Sequence, residues 1–441
     1  MVYSYKQIWK ISFPIIISLT AESFMMVIDT LFLSRVSEVA LGAAAIGGIF
    51  YLCLVMLGAG LANGVSIMIG RQNGQNNLHE IGTVFENALY IFVFLAAILW
   101  LFLSFPGPLL LSHVISSEAI LEESLRFIEY RKYGLFFGLS VMVIDALYIG
   151  TTRTKILSIA TTLMVITNIV LDYILIFGHL GLPAMGIAGA ALATNIAEFA
   201  TFVFYIFWIF FKGDNRKYLL FKFNFPTWSM MQRLIKLSFP VMIQQFLTFT
   251  GYFILFLIIE QLGETQLAAS NITRSIYMVL MIPVWGLSIS VNTMVSNLIG
   301  QGNQNQVIPL IRKVLIIGVA CNFLIIILLN LAPLPWISIY TNNPILIDTT
   351  LPLIKIISGA LILFAFAMIS ISGLSGTGKT FLAMKIEITS ITFYLLTALF
   401  ISLVLKGDVV MIWTVEIIYF SLVGIMSILA LKFSNWRNVN I

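Results

Sequence analysis

Apolar stretches of twenty residues or more, separated by short polar breaks, set the pattern of this chain. A helix needs roughly 20 mostly apolar residues to cross the hydrocarbon core of a bilayer. Twelve stretches qualify, near 9–34, 47–70, 84–104, 122–150, 156–178, 185–211, 231–259, 271–299, 311–332, 350–374, 381–405 and 410–432. The fourth opens on charge, with Glu122, Glu123, Arg126, Arg131 and Lys132 in its first turns. The first, from Ile11 to Leu33, is longer than the roughly 7–15 residues of a signal-peptide core. No small-residue cleavage pattern follows it, so it reads as a span. The expectation is an all-α membrane protein with 12 transmembrane helices.

Composition makes lipid the fitting solvent. Of 441 residues, 60% are hydrophobic and 10% charged, with a mean hydropathy of +1.03. A soluble domain carries about a quarter charged residues. The net charge of +5 does not mark a nucleic-acid binder, because the basic residues are scattered through short loops. Cys53 and Cys321 sit far apart inside apolar runs and read as small apolar fillers. His79, His113 and His179 form no pair, which argues against a zinc site or a histidine-based catalytic site. The partners expected are the lipid bilayer and a small molecule, with no cofactor and no nucleic acid.

Lys and Arg fix orientation, since they collect on the cytoplasmic side. With the N-terminus inside, 17 of the 24 basic residues fall in cytoplasmic segments. The other seven are Arg35, Arg126, Arg131, Lys132, Arg274, Lys355 and Lys406. An odd number of spans breaks this bias. The chain is therefore expected to be a multi-pass protein of the cell (inner) membrane, monomeric, with both termini cytoplasmic.

The chain also repeats itself. Lys10-Ile-Ser-Phe-Pro14 returns as Lys236-Leu-Ser-Phe-Pro240, and Glu38 and Leu41 match Glu264 and Leu267 at the same offset of 226. Ile69-Gly-Arg-Gln-Asn-Gly74 resembles Ile299-Gly-Gln-Gly-Asn-Gln304 at an offset of 230. These matches fall on Pro, Gly, Lys and Asn rather than on interchangeable Leu and Ile. They predict two six-helix lobes, 1–211 and 231–441, joined by a basic, Phe-rich cytoplasmic linker at 212–230. Parallel repeats of this kind are related by a pseudo-two-fold axis along the membrane normal.

Several motifs, in order, resemble those of the multidrug and toxic compound extrusion (MATE) family of cation-coupled exporters. They are Phe13-Pro14 followed by Asp29-Thr30, Gly70-Arg-Gln-Asn-Gly74, Asn168-Ile-Val-Leu-Asp172, Gly186-Ile-Ala-Gly-Ala-Ala-Leu-Ala-Thr194 and Phe239-Pro240. The resemblance spans essentially the whole chain. It implies two six-helix lobes and a cation and proton site in the first, formed by the positions of Asp29, Asn168, Asp172 and Thr194. The positions of Glu22 and Asp145 are commonly amides in the family, which implies a more acidic first lobe here.

The residues themselves point the same way. Acids within spanning helices are expensive and mark functional sites by default. The first half holds five at helix-interior positions: Glu22, Asp29, Asp145, Asp172 and Glu198. Glu22 and Asp29 are seven apart and share a face of the first helix; Asn168 and Asp172, and Thr194 and Glu198, are four apart. Converging carboxylates repel in a low dielectric, and a proton relieves them. The same oxygens suit sodium, another hard cation. Glu198 is expected to face the lobe exterior near a helix end. Pro14 frees backbone carbonyls where the first helix can bend. Met25, with Phe24 and Met26, offers a soft apolar surface beside Asp29 for a flat cation.

The second half departs from one branch of the family, which the resemblance expects to carry a Glu and an Asp where Thr248 and Phe364 stand. Gln244 and Gln245 supply polar contacts there, and Glu387 and Glu416 are the remaining acids within its helices. Coupling is therefore expected to run through the first lobe. Gly373-Leu-Ser-Gly-Thr-Gly-Lys-Thr380 matches a phosphate-binding loop in letters. It follows an apolar span instead of a strand, so it reads as a cytoplasmic turn. The function expected is antiport, with organic cations or amphiphiles leaving as protons or sodium enter. Alternatives are a lipid-linked oligosaccharide flippase, which the acids disfavour, a channel, and a membrane-embedded enzyme, which lacks a catalytic constellation.

Overall fold

The computed structural model describes residues 3–115, 117–223 and 225–437, and among these the chain forms helices and no strand. The first half contains α1 (Tyr5–Ser34), α2 (Glu38–Gly74), α3 (Leu78–Ser104), α4 (Pro106–Val114), α5 (Glu118–Arg131), α6 (Gly134–Gly150), α7 (Lys155–Phe177), α8 (Ile187–Phe211) and α9 (Asp214–Lys217). The second contains α10 (Trp228–Glu260), α11 (Glu264–Gly300), α12 (Val307–Leu331), α13 (Pro333–Ser338), α14 (Pro344–Gly376), α15 (Thr380–Leu403), α16 (Val409–Trp413) and α17 (Val415–Phe433).

Eleven of these segments are long and apolar enough to cross a bilayer singly, counting α16 and α17 as one. The twelfth expected span is broken: α5 and α6 meet at a bend of 54°. Several helices overrun the predicted boundaries, and at α2 and α14 a polar cap sets the start. Ser37 accepts from the Ala40 amide and starts α2 well before the apolar run at 47. Asn343 caps α14 in the same way, and Pro344 occupies its first position. Gly178, at φ +75°, ends α7 in the left-handed conformation.

The chain divides into two compact units. One comprises Met1–Ile16 with Ile243–Ile441, the other Ile17–Met242. Helices α1 and α10 each change unit two residues after their proline, Pro14 and Pro240. The contacts of the two helix starts repeat at the sequence offset of 226. Ser12 on α1 bonds Ser290 on α11 at 2.6 Å, and a Cβ on Gly286 would meet the Ile16 backbone at 3.1 Å. In the other unit, Ser238 on α10 lies against Gly64 on α2, and a Cβ on Gly60 would meet Met242 Cα at 2.5 Å. Small residues let backbones approach, which is how helices pack where lipid removes the hydrophobic drive.

Candidate functional site

Helices α7 and α8 pack closely because Gly189 has no side chain: a Cβ there would lie 2.7 Å from the Leu175 carbonyl carbon. Ala188, Ala190, Ala191 and Ala193 around it are also small and buried. This approach brings Thr194 beside Asn168, with 3.2 Å between Thr194 Oγ1 and the Asn168 amide. Asn168 and Asp172, one turn apart on α7, are fully buried. The distal half of α1 supplies Asp29, whose carboxyl approaches Asp172 closely enough to share a hydrogen bond.

The Asn168 amide decides how these groups are satisfied. With its nitrogen turned to the acids, Nδ2 donates to Asp29 Oδ1 at 3.0 Å and to Asp172 Oδ2 at 3.2 Å, while Oδ1 accepts from Thr194. That orientation suits ionised acids, which only accept. With the amide reversed, Nδ2 donates to Thr194, whose hydroxyl proton goes to the Ala190 carbonyl at 2.9 Å. The amide oxygen then faces the acids and needs a proton on one of them. Asp172 Oδ1 is buried and takes no hydrogen bond among the described residues. All four expected residues thus meet in one place, around an acid pair that is costly to keep fully charged.

The other expected residues sit elsewhere. Glu22 interacts electrostatically with Asp145 on α6. Asp145 Oδ1 accepts from Tyr205 Oη on α8. Tyr205 stacks on Tyr148, whose hydroxyl donates at 3.0 Å to Asp214, the partner of Arg153. Met25 is buried, whereas Phe24 and Met26 are more than half exposed. Gln244 Nε2 lies 3.5 Å from Glu387 and Gln245 is half-buried. Phe364 is packed in the core. Pro14 is buried inside α1, which continues helically through it.

Glu198 does not face the exterior. It stands mid-way along α8, and Arg131 grips both its oxygens, at 2.8 Å and 2.5 Å. Arg131 also donates to Asn195 Oδ1 at 2.7 Å and lies 4.4 Å above the Tyr51 ring. Gly134 makes room, since a Cβ there would strike the guanidinium. A lone arginine needs such a partner to be buried in lipid. Arg131 was legible in sequence only as a charge at a span's edge. It interacts electrostatically with Asp29, so the acid site has a buried cation nearby.

A family model described as MatE matches residues 14–174 and 240–405. The probable multidrug resistance protein NorM of Thermotoga maritima is 28% identical over 392 residues, covering 88% of this chain and 83% of that protein. Among solved structures, a MOP superfamily transporter from Pyrococcus furiosus, described as having a binding pocket of reverse polarity that suggests a different function, superposes with a TM-score of 0.90. It is 19% identical and the match covers 98% and 97% of the two chains. A mutant of the Vibrio cholerae MATE transporter VcmN gives 0.87 at 16% identity, with 98% of each chain covered. At these identities the structures speak for the fold.

Proposed function

This chain belongs to the MatE family of membrane transporters, and from that premise we propose that it exports organic cations or amphiphilic drugs in exchange for an inward-moving cation. The observation that carries this reading is the buried Asp29–Asp172 pair bridged by the Asn168 amide. A bilayer-depth acid pair without a directly bonded base is poised to take up and release a cation. A proton is the ion favoured here, because the Asn168 amide can satisfy the acids with or without it.

In this reading Asp29 and Asp172 hold the coupling ion, with Asn168 and Thr194 switching donor direction as it comes and goes. The second acid group, Glu22 with Asp145, attracts the positive charge of the substrate, and Met25 of the same unit adds a soft contact; Gln244 and Gln245 offer polar contacts within their own unit. Protonation of Asp29 removes charge from α1 and changes how that helix bends at Pro14, where no backbone amide donates. Glu198 is a structural counter-ion to Arg131. The termini and the loops after α2 and α14 face the cytoplasm, as the Lys and Arg bias demands, and the protein works as a monomer. The acidic first half argues against a pyrophosphate-binding flippase.

The test is efflux of a fluorescent organic cation from proteoliposomes, with proton and sodium gradients imposed separately. The reading expects one gradient to drive efflux in the wild type and Asp29→Asn to lose it. If neither gradient moves any of several organic cations, the exporter reading fails.

A further inference from the structure

The unit containing Ile243–Ile441 holds two buried acids that the coupling scheme above leaves unused. Glu387 on α15 and Glu416 on α17 are each 3% exposed. Each pairs with a tyrosine on the other helix. Tyr419 on α17 donates to Glu387 Oε1, and Tyr394 on α15 donates to Glu416 Oε1 at 2.7 Å. The two rungs cross between antiparallel helices, and the tyrosine rings meet between them at 5.4 Å.

No basic side chain forms an ion pair with either acid among the described residues. The titratable groups around them are Tyr252 on α10 and Tyr277 and Arg274 on α11. The Arg274 guanidinium lies over Phe256, 5.1 Å from its ring centroid. Helix α14, packed against both acid-bearing helices, brings only exposed Asp348 and Lys355. Two uncompensated carboxylates in a membrane interior are costly unless something neutralises them.

Hydrogen counting identifies the neutralising species. Thr248 Oγ1 lies 2.9 Å from the Gln244 carbonyl and 2.8 Å from Glu387 Oε1. Its single proton serves one of these acceptors. When it serves Gln244, the contact with Glu387 needs a hydrogen from the acid. When it serves Glu387, the acid is satisfied as an anion. Both states fit the same heavy-atom positions. Each group bonded to Glu387, the Tyr419 and Thr248 hydroxyls and the Gln244 amide, carries a hydrogen of its own, and among the described residues no cluster of three His, Cys, Asp or Glu could hold a metal. A further buried hydroxyl, Tyr277 Oη, is 1% exposed, lacks a partner among the described residues, and interacts electrostatically with Glu416.

We propose that Glu387 and Glu416 form a second proton-binding site, held within this one unit, whose carboxyls exchange protons with their cross-helix tyrosine and threonine partners switching donor direction. Binding there is a property of the site itself. Its part in coupling rests on the exporter reading above.

The test is infrared difference spectroscopy of the bilayer-reconstituted full chain across a pH change, in an Asp29→Asn/Asp172→Asn background. The protonated-carboxyl carbonyl band should still respond to pH. Glu387→Gln and Glu416→Gln should each remove one carboxyl's share of that response. Gln keeps the acceptor for tyrosine, so the fold has no cause to change. Tyr419→Phe should keep the amplitude and move the band frequency, because the carbonyl loses a donor. A pH response unchanged by both Glu→Gln substitutions overturns the proposal, as does a background with no response. If no gradient drives efflux yet the Glu-dependent band is present, the exporter reading falls and this site stands.

Discussion

At the scale of single residues, the molecule separates buried acids with no ion-pair partner among the described residues from an acid that is spoken for. Glu198 and Arg131 form a bidentate pair with side chains 14% and 10% exposed. Removing one member of such a pair leaves the other buried and unpaired, at about 3–5 kcal/mol. We predict that Arg131→Met lowers stability in chemical unfolding in detergent by an amount of that order. Arg131→Met with Glu198→Leu should recover most of the loss, because two apolar side chains replace two charges. Asp172→Asn should behave oppositely, with unfolding near wild type and ion-driven efflux lost, since Asn fills the same space and still accepts from Asn168. Sequence spacing placed Asn168 and Asp172 on one face of α7 and singled out Asp29 and Thr194 on their own helices, and the resemblance grouped the four into one site. The partner of Glu198 lies 67 residues away across α5 and α8, and no local periodicity carries that information.

At the scale of helices, glycines decide which faces meet. On Gly64 of α2, a Cβ would run into Ser238 of α10, with Ser238 Cβ at 2.7 Å, whereas on Gly48 of the same helix it meets nothing within 4 Å. Gly64→Val should therefore sharply reduce the yield of monodisperse protein in size-exclusion chromatography. Gly48→Ala should leave yield unchanged, or raise stability by up to about 1 kcal/mol through helix propensity. Equal outcomes for the two would contradict this packing. Twelve spans were legible because apolar length is a direct signature of a bilayer crossing. The bend between α5 and α6 was not: the charges in the opening turns of the fourth stretch marked its start as unusual but carried no angle. The helix ends were missed where caps such as Ser37 start a helix outside the apolar run. Pro14→Ala tests the bending step: export should slow while α1 stays helical, and normal transport would count heavily against bending.

At the scale of the whole molecule, the internal repeat is both a sequence and a structural property. Ser12 on Ser290 and Ser238 against Gly64 are the same contact made twice, 226 residues apart. The repeat in Pro, Gly and Lys positions was readable because those residues serve backbone geometry and topology, which both halves share. The acids are not repeated: the first half holds Asp29 with Asp172, the second Glu387 with Glu416. Orientation predicts that single cysteines at Gln75 and Gly378, in a chain with Cys53 and Cys321 replaced by Ala, react with an impermeant thiol reagent from the cytoplasmic side alone. The most direct test of the central claim is proton release on substrate binding, followed with a pH indicator in weakly buffered detergent solution. A saturating organic cation should expel protons from the wild-type protein, and Asp29→Asn and Asp172→Asn should lose much of that release while still binding the ligand. Ligand binding that releases no proton from the wild type, or the same amount from both variants, would contradict exchange at the Asp29–Asp172 pair.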